Sequence, residues 1–191
     1  MSAAPSEATQ RLFFALWPQQ GARQELAGAS AGVARSCGGR TVPAENLHVT
    51  LAFLGSVPRR RVPEVKTIAE RAAVSCAQHE PLALRFEALA HWPRQQILCA
   101  VTAGESPVAA ALSAALKDAA AAAGFTPDLK PFRAHVTVAR KVVHAPRECS
   151  LRALTWRFDD FSLIDSRTEP SGPVYSVIAC YPLVKREKAH E

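Results

Sequence analysis

The alternation of apolar and polar positions divides the chain into segments of two kinds. The apolar run RLFFALWP, residues 11–18, is rich in aromatic and aliphatic side chains and stops at Pro18, which predicts a buried strand. A helical stretch over about 19–35 comes next, and the SCGGR segment at 36–40 breaks it. After Pro43 a strand is expected over about 46–54, stopped by Gly55. Val65, Ile68, Ala69 and Ala72 recur on one face of a helix over 62–77, with Pro63 in the first turn, where its missing N–H costs nothing. Residues 82–92 alternate like a half-exposed strand, 95–103 form another, and WPRQ between them reads as a turn. The helix over about 107–123 is the most clearly marked: Ser106 can cap it, Pro107 can open it and Gly124 can end it. Strands are then expected through PFRAHVTVARKV, over 155–166 and over 173–183. This order is α+β rather than a regular βαβ array, with no low-complexity linker. One domain over 11–184 is expected, between a disordered N-terminal tail at 1–10 and a C-terminal tail at 185–191.

Within this pattern one tetrapeptide occurs twice. His48-Val49-Thr50-Leu51 and His135-Val136-Thr137-Val138 each combine a His, an apolar residue, a Thr and another apolar residue. On a strand, side chains i and i+2 share a face, so His48 lies with Thr50 and His135 with Thr137, while the apolar pair of each faces a core. One copy falls in each half of the chain, after a helix each time. That predicts two similar lobes whose motif strands face each other. Histidine titrates near neutrality, so one imidazole can take a proton from an attacking oxygen while the other gives one to a leaving oxygen. The two Thr hydroxyls can hold non-bridging phosphate oxygens. The same parity turns Arg133, two residues before His135, toward the cleft, where its fork suits phosphate.

Charge and composition change this picture little. A net charge of +6 suits a phosphate-bearing partner and equally suits general solubility. No apolar stretch approaches the roughly 20 residues of a membrane span, and no targeting segment is expected. The five cysteines are scattered and never form a Cys-x-x-Cys pair, so they read as reduced thiols rather than as a disulfide frame or zinc site. Two lone histidines also lack the further ligands of a catalytic zinc, and the one acidic doublet, Asp159-Asp160, reads as surface. Neither a metal nor another cofactor is expected. His79, His91, His144 and His190 read as surface or loop, and Arg59-Arg60-Arg61 as a solvated turn in preference to an RNA contact. Trp17, Trp92 and Trp156 read as core or lobe-edge packing, Phe13 as core, and Tyr175 as either core or a base-stacking ring.

The paired motifs, with RLFFALWP at the start and HVTVAR around the second, resemble the two-histidine phosphoesterases, and among them the bacterial RNA 2′,3′-cyclic phosphodiesterases, or 2′-5′ RNA ligase-like proteins. The resemblance covers nearly the whole chain. It implies a bilobal α+β fold: two pseudo-symmetric lobes of mainly antiparallel sheet with outer helices and the active site in the central cleft. It also implies metal-free hydrolysis of an RNA 2′,3′-cyclic phosphate to a 2′-phosphate, with His48 as proton donor, His135 as proton acceptor, and Thr50 and Thr137 as phosphate clamps. Arg140 is a phosphate-binding residue by the same resemblance. Strict alternation turns it away from His135, so a bulge or the strand's end must bring it back. The expected partner is RNA or a nucleotide with a 2′,3′-cyclic end, acted on by a cytoplasmic monomer with no obligate protein partner. Reversible 2′-5′ ligation, action on another small cyclic or 2′-5′ phosphate ester, and a non-catalytic RNA-binding module are the alternatives.

Overall fold

The computed structural model describes residues 8–170 and 172–185. The first apolar run forms β1 (Thr9–Leu16), followed by α1 (Gln20–Ser36), a two-residue strand β2 (Arg40–Thr41) and β3 (Val49–Pro58). Helix α2 (Val62–Cys76), the hairpin of β4 (Leu82–Trp92) and β5 (Ile97–Thr102), and α3 (Pro107–Ala122) come next. The chain continues with β6 (His135–Arg140), β7 (Ser150–Phe158), β8 (Asp160–Glu169) and β9 (Gly172–Pro182). The helices keep closely to their sequence signals. The expected face of α2 is buried, and Ser106 Oγ accepts the N–H of Ala109 at 3.4 Å at the start of α3. Gly124, at φ +77°, takes the left-handed turn that a side chain would resist.

Three boundaries differ from expectation. Of the expected tail at 1–10, residues 1–7 lie outside the described residues, while Thr9 and Gln10 already pair with Pro58 and Val57. Of the tail at 185–191, residues 186–191 lie outside them. Gly55 does not stop its strand. At φ +72° it sits beside a bulge, and β3 runs on to Pro58. The single strand expected over 155–166 is two strands, β7 and β8, separated at Asp159 and belonging to different sheets. Alternation reports which side of a sheet a residue faces and carries no information about which sheet a segment joins.

The strands form two antiparallel sheets, β3-β1-β8-β9 and β2-β6-β5-β4-β7, and each motif lies in one of them. The lobes are therefore not halves of the sequence, because the first sheet takes two strands from each end of the chain. The helices cross over as well. Helix α1 comes after a strand of the first sheet and packs on β6 and β7 of the second, whereas α2 and α3 pack on each other and on β9 and β3 of the first. One apolar core runs through both lobes, from the edge-to-face pair Phe14–Phe161 to the pair Phe86–Trp156.

Candidate active site

The first motif is set by a short turn of 3-10 helix, Ala44–Asn46, so that His48 stands just ahead of β3. Its Nδ1–H donates to the carbonyl of Asn46 at 2.7 Å. His135 repeats this geometry at the same offset, with Nδ1–H donating to the carbonyl of Arg133 at 2.7 Å. A carbonyl can only accept, so in both rings Nδ1 carries the hydrogen and Nε2 is left for chemistry. In the neutral ring of His48 the Thr50 hydroxyl donates to Nε2 at 3.2 Å. The Asn46 side chain ties its turn to β9 by donating to Pro173 O at 3.0 Å, and Arg23 of α1 holds the neighbouring carbonyl of Glu45 at 2.6 Å.

Both motif strands carry one extra residue directly after the Thr. In β3 the register passes from Thr50↔Ala15 to Ala52↔Phe14 and leaves out Leu51. In β6 it passes from Thr137↔Cys99 to Ala139↔Leu98 and leaves out Val138. A bulge shifts the parity of the residues beyond it. The residue five after each His, Phe53 in one strand and Arg140 in the other, thereby comes round to the cleft. This is the device Arg140 required. The carbonyl of Leu51, in the first bulge, accepts a buried hydrogen bond from Ser113 Oγ of α3 at 2.6 Å.

His48, Thr50, His135, Thr137, Arg140 and Tyr175 line one cleft of about 650 Å³. Arg11, Arg40 and Lys141 also border it, and Arg40 pairs with Arg140 across β2 and β6. No carboxylate lies in this wall among the described residues, so the cleft has the charge of an anion site. Arg133 borders the adjoining chamber instead, sharing Thr50, Phe53 and His135 with the first. Among the described residues no three His, Cys, Asp or Glu side chains gather to hold a metal ion.

Aromatic rings enclose the first histidine. Phe13, Trp17 and Tyr175 have ring centres 5.0, 5.3 and 5.3 Å from that of His48, and Trp17 lies nearly parallel to it. This burial pushes the His48 pKa down from 6.5 to about 4. The Asn46 carbonyl opposes the shift, and the positive charges of Arg140, His135 and Arg23 reinforce it. His135 is held below its ordinary value by burial, again opposed by its backbone hydrogen bond, with the Arg133 guanidinium adding to the fall. Burial pushes the Cys99 thiol, 3.9 Å from the Thr137 hydroxyl, up to about 12, so it stays a neutral neighbour.

Several residues expected elsewhere belong to this site. Trp17, expected as core or lobe-edge packing, packs on the small cluster of Phe13, Ala15 and Ile164 and also lies against His48. Trp92, expected likewise, has its ring centre 4.6 Å from that of His135, and only Trp156 is core. The sequence holds a signal for this: Trp-Pro occurs twice, once for each motif. Phe13 is core as expected, and Tyr175 stands edge-on to His48 in the cleft wall. Arg11, Arg40 and Phe53 lie beyond sequence reasoning, because sheet neighbours and bulges place them. Of the unpaired histidines, His79 and His144 are exposed, His190 lies outside the described residues, and His91 is half-buried on β4 with Nε2 unpartnered. Arg61 of the basic triplet is structural. It pairs with Glu64 at 2.8 Å, donates to Ala123 O at 2.6 Å and covers the Phe125 ring.

Comparison with known proteins gives the family and the fold. Residues 17–170 match the family described as the 2′-5′ RNA ligase superfamily. A Thermus thermophilus protein named RNA 2′,3′-cyclic phosphodiesterase is 30% identical over 184 residues, covering 91% of this chain and 90% of its own. An Archaeoglobus fulgidus protein of the same name is 28% identical, covering 86% of this chain and 96% of its own. The crystal structure of E. coli LigT complexed with 3′-AMP superposes with a TM-score of 0.83 at 23% identity, over 93% of this chain and 100% of that one, and so shares the fold.

Proposed function

The chain belongs to the 2′-5′ RNA ligase superfamily, and from that premise we propose that it hydrolyses 2′,3′-cyclic phosphate ends of RNA to 2′-phosphates, without a metal, by acid–base work of two histidines. The observation that carries this reading is the identical seating of the two imidazoles. Each is held through Nδ1 by the carbonyl two residues earlier, and each borders one basic cleft. The relatives named RNA 2′,3′-cyclic phosphodiesterase support the substrate class.

In this mechanism His135 Nε2 takes a proton from water as the water oxygen bonds to phosphorus. The bond from phosphorus to O3′ breaks, and His48 Nε2–H protonates O3′. The 2′-phosphate remains, and the two rings return to their starting states through solvent. Thr50, Thr137 and Arg140 hold the non-bridging oxygens, whose charge persists throughout. His48 needs its proton to act as donor, yet in the free cleft it is neutral at pH 7. Burial is the main cause of that fall, and an arriving phosphate opposes it by placing a negative charge beside the ring and offsetting Arg140, which raises the His48 pKa toward the donor state. As a result kcat/KM, which reports the free enzyme, peaks on the acid side of neutrality, and the kcat profile lies at higher pH.

Tyr175 and Arg133 serve in this reading as a base-facing ring and an outer cation. The working unit is a single domain that begins with β1 at Thr9, a cytoplasmic monomer. No helix among the described residues is long and apolar enough to cross a membrane. A second reading, ligation of a 5′-hydroxyl to give a 2′-5′ bond, uses the same groups with an alcohol in place of water, and the description of the family favours keeping it in view. The test is an oligonucleotide with a 2′,3′-cyclic end incubated in excess chelator, with product mapping. A 2′-phosphate product supports the proposal. Loss of turnover in chelator, or a 3′-phosphate product, overturns it. RNA binding without turnover would leave a binding module.

A further inference from the structure

Hydrolysis of a cyclic phosphate consumes one water, which takes up about 30 Å³ of liquid. The cleft nevertheless continues past His135 into a second chamber of about 730 Å³, at least as large as the first. The two chambers share Thr50, Phe53 and His135 as common wall residues. The rest of the second chamber comes from Leu51 and Ala52 of β3, the end of β4 and the turn after it, one lysine of α3, and the loop that leads into β6.

Two kinds of side chain dominate it. Trp92 and Phe132 are half-buried rings, and Arg94, Lys117, Lys130 and Arg133 are its cations. The single carboxylate, Asp128, is already engaged, with Oδ2 3.8 Å from Lys130 Nζ and Oδ1 accepting the Lys130 N–H at 3.0 Å. Lys117 Nζ donates to the carbonyl of Lys130 at 2.8 Å and ties the loop to α3, so the loop is braced before any ligand arrives. Aromatic faces beside cations in excess of carboxylate are the chemistry that holds single-stranded nucleic acid without reading its sequence.

We infer that this chamber is a second nucleotide subsite, which receives the nucleotide preceding the cyclic-phosphate terminus, its base against Trp92 and Phe132 and its phosphate among Arg94, Lys130 and Arg133. The inference rests on the hydrolysis proposed above and adds to it a preference for chain length. Because the two chambers meet at shared residues, one strand of two nucleotides can occupy both. The preference is for length over base identity, since stacking accepts any base.

The experiment compares kcat/KM for adenosine 2′,3′-cyclic phosphate with that for a dinucleotide ending in the same group. Stacking of one base suffices for roughly tenfold in favour of the dinucleotide. The advantage should shrink as salt rises. It should also fall toward one in Arg94→Ala and in Phe132→Leu. Lys130→Ala serves as a second charge variant should Phe132→Leu fail to fold, as judged by thermal melting. Equal kcat/KM for the two substrates overturns the subsite and leaves the hydrolysis intact. An added 5′-hydroxyl oligonucleotide whose hydroxyl attacks the cyclic phosphate in place of water, displacing O3′ and becoming joined to that end, with no dinucleotide advantage, assigns the chamber to a second strand and also overturns the subsite. Failure to hydrolyse either substrate overturns the underlying reading instead.

Discussion

Acid should destabilise this protein through His48. The ring is enclosed by Phe13, Trp17 and Tyr175, and its pKa falls from 6.5 to about 4 in the folded chain. The unfolded chain, where the ring is hydrated, keeps the ordinary value. Between those two pH values the unfolded state binds the extra proton and the folded state does not. Stability therefore has its full value above about pH 6.5 and is lost as pH falls through about 4. A difference of about 2.5 pH units corresponds to about 3 kcal/mol, a sizeable share of the stability of an ordinary domain. His135 is shifted in the same direction and steepens the loss. The assay is urea denaturation at pH 7 and pH 4.5 for the parent and for His48→Gln, together with an NMR titration of the imidazoles. The parent should lose stability on acidification by more than the variant does, and the His48 resonances should stay in the neutral form down to about pH 5. A midpoint between pH 6 and 7 for His48 in the free protein would refute the reasoning, because it would mean that the aromatic enclosure does not keep water from the ring. Inorganic phosphate should move the midpoint upward, since an anion in the cleft offsets Arg140.

Tyr175→Ala opens one side of the enclosure and should raise the His48 midpoint toward 6.5 in the same titration, while a midpoint that stays put assigns the shift to the other rings. Arg140→Ala should raise KM for a cyclic-phosphate substrate and lower kcat/KM by about 10- to 100-fold, the scale of a lost hydrogen bond to a charged group, with Arg140→Lys recovering part of it in steady-state kinetics. His48→Ala and His135→Ala should each lower the rate by about 10²–10⁴, and near-equal activity in either variant would remove that ring from the mechanism. Ser113→Ala leaves the buried carbonyl of Leu51 without its partner. It should cost about 1–3 kcal/mol in denaturant melts and lower activity as well, because the same bulge sets Phe53 and Thr50.

The chemistry of this protein is written in local pattern. Two His-x-Thr repeats in strand-forming runs pointed to four residues that line one cleft, since alternation on a strand decides which side chains share a face. The capping residues of α3 and the apolar face of α2 were equally readable, because both depend on neighbours within a turn or two. The position of Arg140 lay at the limit of such reasoning. Its type suited phosphate, its parity pointed away, and the contradiction was resolved only by the extra residue at Val138. Phe53 obeys the same rule through Leu51, and no local signal announced it. Trp17 and Trp92 read as core or lobe-edge packing because an indole on an apolar segment has no local mark distinguishing a core ring from one laid on a cleft imidazole. Which strands join which sheet was decided over distances the sequence pattern does not encode. The division of 155–166 at Asp159 and the return of β8 and β9 to the side of β1 are both of this kind. Residue types and their spacing thus determined the chemistry proposed for this chain. The meeting of the two motifs in one basic cleft, the partial burial of His48 among aromatic rings and the chamber beyond His135 were decided by tertiary structure, because burial and electric field depend on neighbours that only folding brings near.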